Sequence, residues 1–376
     1  MLRIGRVLQQ PVAVTQKMVR SMSSTPEPEV VFSNKGVLGV VRLNRPRALN
    51  ALTENMVEQM TPQLLKWQAD PSVGIVLIKG TGGKAFCAGG DVLSVTKSAK
   101  SDGRIHREFF IKEYTLNHLI GTYKKPYVAF IQGYTMGGGV GVSVHGTFRV
   151  ATETTVLSMP ETALGLFPDV GGSYFLSRLQ GKLGLFLGLS GYRLKGADAV
   201  HAGLATHYIE TKNLDEVESA LAAVSSSSPS VSDVDAVLNK FSAKKPSFSL
   251  DPHLDTINTA FDAQSVEEIV EKLGTHSDEF SQSLRKDLLA MSPTSLKVTL
   301  EQIKRGAKLD LAGCLKMENQ LGQHFIAGHD FHEGCRAILV DKDRNPKWKP
   351  AKLSEVSDQD VQAYFEPFED HPHPKI

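Results

Sequence analysis

The sequence predicts an α/β fold in which a largely parallel sheet is built by strand-to-helix crossovers and is followed by a region of helices alone. Three observations predict it. Strand-like and helix-like patterns alternate from residue 30 to about 224; glycine turns follow two of the strand-like runs, at 84–92 and 133–141; and beyond a serine-rich connection at 225–232 no strand pattern returns.

Taken in order, residues 1–26 carry Arg3, Arg6, Lys17 and Arg20 and no acid before Glu27, with Ser21, Ser23, Ser24 and Thr25 near their end. That is the composition of a mitochondrial transit peptide, pointing to the matrix; Gln9, Gln10 and Pro11 break the apolar stretch that a secretory signal needs. Two strands, 30–32 and 37–43, flank a turn at 33–36 and read as a hairpin. Thr53 caps a helix that turns Val57, Met60, Leu64 and Leu65 inward, has Pro62 as a kink point and ends before Asp70 and Pro71. Then come a strand at 73–79, a glycine turn, a helix near 106–123, a strand at 127–131, a second glycine turn, a helix reaching His145 and a strand at 148–151. A short strand at 205–209 and a helix at 214–224 close this part. Helices are expected at 233–242, 252–263, 266–273, 278–291, 293–305 and 311–327. The chain therefore divides into a leader (1–26), an α/β core (27–224), a helical region (225–350) and an acidic, proline-rich tail (351–376).

Composition narrows the function. With 376 residues, 41% of them hydrophobic, the chain can bury a full core. A formal charge of +1 gives no footprint for nucleic acid, and no apolar run reaches the length of a membrane span. Without the four leader charges the net falls to −3. Cys87, Cys314 and Cys335 are odd in number and widely spaced, which suits a reducing compartment and neither a disulfide framework nor a CxxC metal site. Oligomeric state is not legible.

The chemistry concentrates at 133–172. Gly137, Gly138 and Gly139 open a helix, where bare backbone amides carry partial positive charge and donate to an anion or a developing oxyanion. The turn at 84–92, with Gly89 and Gly90, is a second such place. Two carboxylates stand downstream: Glu161 after Pro160 and Asp169 after Pro168. Each feature alone also has a purely structural reading. The glycines can be tight turns, Glu161 a helix-start carboxylate and Asp169 the N-cap of a helix at 171–179. Two amide-bearing turns with two carboxylates make a site.

At this point a resemblance becomes specific. LNRPRALNAL (43–52), AFCAGGD (85–91), MGGGVG (136–141) and PETALGLFPDVGG (160–172) resemble the crotonase, or enoyl-CoA hydratase/isomerase, superfamily over about residues 30–350. KLGLFLGLSGYRLKG (182–196) and DFHEGCRAILVDKDRNPKWKP (330–350) bring it nearer to the branch that hydrolyses short 3-hydroxyacyl-CoA thioesters than to the hydratases. The resemblance implies a crotonase-like spiral of β-β-α turns with a helical C-terminal region. It implies an acyl-CoA substrate, 3-hydroxyisobutyryl-CoA of valine breakdown, and neither metal nor other cofactor. It places the oxyanion donors on the amides of Gly90 and Gly138, the functional carboxylates on Glu161 and Asp169, and a further substrate-contacting carboxylate on Glu113. Where hydratases carry their first glutamate, three residues past the second oxyanion glycine, this chain has Gly141. Hydration thereby lacks one of its bases, and a catalytically silent subunit that kept the fold is the remaining competitor.

Thioester hydrolysis needs donors where negative charge grows, and one such donor is typically worth about 3 to 4 kcal/mol of barrier. Glu161 is the candidate nucleophile or general base, and Asp169 the candidate holder of the substrate 3-hydroxyl. Glu113 stands beside Arg107, Glu108 and Lys112, so surface pairing is its rival reading. His106, His118, His145, His201 and His207 show no ligand spacing, Cys87 suits a small buried place in its turn and as a nucleophile would need a histidine partner that sequence does not show, and Ser94 and Ser143 lack a nucleophile-elbow context. Lys84, Arg45 and Arg47 are candidate contacts for CoA phosphates or solvated loop charges.

Overall fold

The computed structural model describes residues 27–99, 104–226, 228–367 and 373–376, and of 98, 99 and 104–107 the backbone alone. The leader reading of residues 1–26 and the side chain of His106 lie outside the described residues.

The strands are β1 (Val30–Lys35), β2 (Leu38–Leu43), β3 (Ile75–Gly80), β4 (Ala85–Cys87), β5 (Tyr127–Ile131), β6 (Tyr134–Met136), β7 (Phe148–Ala151), β8 (Val156–Ser158), β9 (Leu194–Lys195) and β10 (His207–Tyr208). They form two sheets. The larger runs β1-β2-β3-β5-β7-β10, antiparallel only at the β1–β2 hairpin, and the smaller runs β4-β6-β8-β9, antiparallel only at β8–β9. The hairpin turns at 36–37 rather than 33–36, because Ser33, Asn34 and Lys35 stay paired with Val40, Gly39 and Leu38. The small sheet is what the sequence reading lacked. Each glycine turn expected to lead straight from strand to helix holds a three-residue strand first, so the repeating unit is strand, short strand, helix, as the crotonase spiral implies.

The helices of the core are α1 (Glu54–Ala69), α2 (Val92–Ala99), α3 (Arg104–Gly121), α4 (Gly138–Val144), α5 (Gly172–Leu176), α6 (Leu183–Ser190), α7 (Asp198–His201) and α8 (Leu214–Ala222). Thr53 caps α1 as expected, its hydroxyl accepting from the Met56 amide at 3.2 Å. The helix continues through Pro62, which lies on its exposed side. Leu65 does not point inward: it is 49% exposed, and Met56, Val57, Met60, Leu64 and Trp67 form the buried stripe. Trp67 continues that stripe. An ideal Cβ on Gly39 would lie 2.9 Å from its ring, so the indole packs flat on β2 and Leu65, about 100° round from Leu64, faces water.

Beyond α8 every described element is helical: α9 (Val231–Phe241), α10 (Leu254–Ala260), α11 (Val266–Gly274), α12 (Glu279–Ala290), α13 (Pro293–Gly306), α14 (Leu311–Ala327), α15 (Asp330–Cys335) and α16 (Asp358–Ala363), joined by short 3-10 and π turns. Both faces of the large sheet are covered, which is why its strands read as unbroken apolar runs. Leu38, Val40, Ile75, Leu77, Val128 and Phe130 pack under Val217 and Leu221 of α8 and Val234 and Leu238 of α9. Their neighbours Val41, Val76, Ile78, Ala129 and Ile131 face the main core. α13 and α14 pack on α5, and α14 also on α3, so the helical region leans directly on the loop at 160–172. The tail joins in: the Arg305 guanidinium of α13 lies 3.9 Å over the Phe365 ring. Phe167, fully buried in that loop, meets Phe325 of α14 with ring centroids 5.3 Å apart. Phe167→Ala is expected to cost about 3–5 kcal/mol in urea unfolding; a loss below about 1 kcal/mol would mean that the loop does not depend on α14.

Candidate active site

β4, β6 and β8 are neighbours and parallel, so their C-terminal ends emerge side by side. Beyond those ends lie Gly89–Gly90, Gly137–Gly138 and Pro160–Glu161 respectively, and the small sheet thereby delivers two glycine turns and a carboxylate to one place. They line a cleft of about 590 Å³ together with Glu113 and Asp169.

The glycines are required by geometry. Gly137 has φ 45 and ψ −117, a conformation closed to L side chains. An ideal Cβ there would fall 2.6 Å from Glu161 Oε1, and one on Gly138 would fall 2.5 Å from Glu113 Oε1 and 3.1 Å from the Gly90 nitrogen. Both turns and both glutamates thus converge on one small space. Gly138 begins α4, so its amide has no intrahelical acceptor. Leu52 takes up the carbonyl of Gly89 (2.9 Å) and the amide of Asp91 (2.8 Å), bypassing the Gly90 amide between them.

The three carboxylates come from different elements. Glu113, on α3, is 2% exposed with Oε1 buried and unpartnered. The surface-pairing reading fails because its neighbour Lys112 faces the other way, onto Glu54, Glu58 and Glu108. Glu161 starts a 3-10 turn, Glu161–Leu164, yet is 5% exposed with Oε2 buried and unpartnered. Asp169, equally buried, accepts a hydrogen bond from the Tyr114 hydroxyl on Oδ2 at 3.0 Å. Asp169 is not an N-cap: α5 begins at Gly172 behind Gly171, with no side-chain cap.

Burial dominates the electrostatics. It pushes Asp169 up to about 7, against the pull of the Tyr114 hydroxyl. Burial first, and the charge of Asp169 second, raise both Glu113 and Glu161 well above the ordinary carboxylate range. Among the described residues none of the three makes an ion pair, so removal from water is not offset by a cation.

Other expected candidates separate cleanly. Burial pushes the Cys87 thiol up to about 12, so it supplies no thiolate. Ser143 donates to the carbonyls of Gly139 and Val140 inside α4, and Ser94 is exposed on α2. Arg45 is spent on Glu29 and Asp91, whereas Arg47 is exposed and lines the cleft, as does exposed Lys342, which the sequence reading passed over. Lys84 is exposed and does not line it. At Gly141 an ideal Cβ would lie 2.6 Å from Val170 Cβ and 3.0 Å from Asn117 Nδ2, so a glutamate has no room there.

Residues 38–365 match the family model described as enoyl-CoA hydratase/isomerase. The chain belongs to that family. Among curated relatives it is 51% identical to the human mitochondrial 3-hydroxyisobutyryl-CoA hydrolase over 340 residues, 90% of this chain and 88% of that protein. It is likewise 51% identical to the zebrafish (Danio rerio) protein of the same name, over 92% of this chain and 91% of that one. Among solved structures, a carnitinyl-CoA dehydratase from Mycobacterium thermoresistibile superposes with a TM-score of 0.86 at 41% identity, covering 91% of this chain and 98% of that one. Within the family fold, the structure brings together Gly90, Glu113, Gly138, Glu161 and Asp169, the residues picked out in the sequence. Tyr114 was missed. It lies next to Glu113 on α3, and only its contact with Asp169, 55 residues on, marks it.

A carboxyl whose titration point is raised by folding is stabilised neutral, so its charged form costs stability as pH climbs from its unfolded value through its folded one. Glu113→Gln removes that cost. The Tm difference between variant and wild type is expected to be more positive at pH 8 than at pH 5; a difference independent of pH would mean that Glu113 is solvated.

Proposed function

We propose that this protein hydrolyses the thioester of short 3-hydroxyacyl-CoAs, 3-hydroxyisobutyryl-CoA above all and 3-hydroxypropionyl-CoA beside it, releasing CoA and the free acid. The observation that carries the reading is the single cleft in which two glycine turns face Glu161 and Asp169 while position 141 is closed to a second base. Relatives about half identical and named 3-hydroxyisobutyryl-CoA hydrolase support it. Their mitochondrial names support a mitochondrial location, and the basic, serine-bearing composition of residues 1–26 supports the matrix.

In this reading the thioester carbonyl lies against the amides of Gly90 and Gly138, which stabilise the oxyanion as the tetrahedral centre forms. Glu161 either attacks the carbonyl itself, forming a mixed anhydride that water then hydrolyses to free the acid and restore the carboxylate, or takes a proton from a water that attacks; on either route the C–S bond breaks and CoA leaves as thiolate. Asp169 accepts a hydrogen bond from the substrate 3-hydroxyl, and Glu113 closes the pocket beside Gly138. Arg47 and Lys342 line the cleft as partners for the CoA phosphates. Glu161 must be ionised to act, so the acid limb of kcat/KM lies above the ordinary carboxylate range. Removing the Asp169 charge that raises Glu161 is expected to shift that limb to lower pH in Asp169→Asn. An unmoved limb would uncouple the two groups.

The likeness to a carnitinyl-CoA dehydratase favours a second reading, addition of water to an enoyl-CoA. Thiol release and hydration, measured side by side on 3-hydroxyisobutyryl-CoA, isobutyryl-CoA and crotonyl-CoA, separate the two. Hydrolysis of the hydroxylated substrate with negligible hydration of crotonyl-CoA is expected; comparable hydration would overturn the assignment. Glu161→Gln is expected to lower kcat steeply, by about 100-fold or more, with KM little changed, and retention of kcat would remove Glu161 from the chemistry.

A further inference from the structure

Asp169 sits in a backbone segment that does not hold its shape unaided. Val170 has φ 53 and Gly171 has φ 85, two left-handed residues in succession, the first of them β-branched. Such a conformation is strained for a β-branched residue and persists only where the surroundings impose it. The surroundings are polar and buried. Gln302 of α13 donates to the Pro168 carbonyl at 2.7 Å, and His145 donates to the Val170 carbonyl at 2.7 Å. A carbonyl only accepts, so the His145 proton is on Nε2.

The remaining contact is made by Glu318 of α14. Its side chain is fully buried and, among the described residues, makes no ion pair. Oε2 accepts from the Gly171 amide at 2.6 Å; Oε1 accepts from the Ser173 amide at 2.9 Å and from the Ser173 hydroxyl. The left-handed pair at 170–171 turns these amides to one side, forming a concave nest of N–H groups that the carboxylate fills. Glu318 does not line the cleft.

We propose that Glu318 is a positioning residue for Asp169: by filling the amide nest at 171–173 it fixes the left-handed turn that aims the Asp169 carboxylate at the substrate 3-hydroxyl. This rests on the role given to Asp169 above. A carboxylate suits the place because every group facing it there is a donor; the amide of a glutamine would set its own N–H₂ against one of them, tilting the turn while leaving Glu161 and the oxyanion amides, which hang on other strand ends, in place.

The test is a double-mutant cycle of Glu318→Gln and Asp169→Asn, with kcat and KM for 3-hydroxyisobutyryl-CoA and for isobutyryl-CoA, which lacks the hydroxyl. Glu318→Gln is expected to lower kcat/KM for the hydroxylated substrate roughly 10- to 100-fold and for isobutyryl-CoA less than about threefold. Added to Asp169→Asn, it should cost less than about twofold more, since the group it aims is already gone. Equal losses on both substrates, or losses that multiply in the double variant, would make Glu318 a plain cap of α5 and overturn the proposal. If Asp169→Asn alone leaves the preference for the hydroxyl unchanged, the reading of Asp169 fails and the proposal with it. Should Glu318→Gln not fold, Ser173→Ala removes one donor and keeps the carboxylate; a loss confined to the hydroxylated substrate supports the proposal, and an unselective one overturns it.

Discussion

The structure depends on keeping four carboxylates, Glu113, Glu161, Asp169 and Glu318, out of water with no cation beside any of them among the described residues. Burying one such charge without compensation costs several kcal/mol, and two solutions are available: take up a proton, or gather donors. Glu318 gathers donors, three from residues 171 and 173, and these work against the rise that burial imposes on it. Asp169 gathers one, from Tyr114. Glu113 and Glu161 each leave an oxygen unpartnered, and burial raises both well above the ordinary carboxylate range. A site built this way is poised near neutral pH because its carboxylates are dry and repel one another.

The small sheet and the C-terminal helices divide the labour. Three short parallel strands bring Gly90, Gly138 and Glu161 to one edge, a placement set by backbone register and therefore rigid. Asp169 lies beyond them in a turn shaped from outside by α3, α13 and α14, through Tyr114, Gln302 and Glu318. The helical region is thus part of the site's wall. The same division explains Gly141: Val170, held in its unusual conformation, occupies the space that a glutamate on α4 would need.

Sequence reading reached the glycine turns and the carboxylates because each is marked locally, by a run of glycines or by a proline next to an acid. Many elements were equally legible: Thr53 as a cap, the apolar run of β5, and the six helices between 231 and 327, though not the short helices α15 and α16 beyond them. Strands β4, β6, β8 and β9, two or three residues each, are too short to show a period and exist because their neighbours pair with them. Leu65 was misplaced because it was read with its neighbour Leu64, whereas the spacing of three and four continues from Leu64 to Trp67. Glu318 carries no local sign at all. It meets Gly171 across 147 residues, and in sequence it is one acid on an amphipathic helix.

The central claim is that the site holds protonated carboxyl groups at neutral pH, and infrared spectroscopy of the protonated carboxyl C=O stretch tests it directly. In the substrate-free enzyme, titrated from about pH 4 to pH 9, the account predicts a band that survives the ordinary carboxylate range, begins to fall near pH 7 as Asp169 ionises, and weakens further in Glu113→Gln and Glu161→Gln. Complete loss of the band below about pH 5.5 would contradict it, for the carboxylates would then be solvated and the cleft would not be the dry site described.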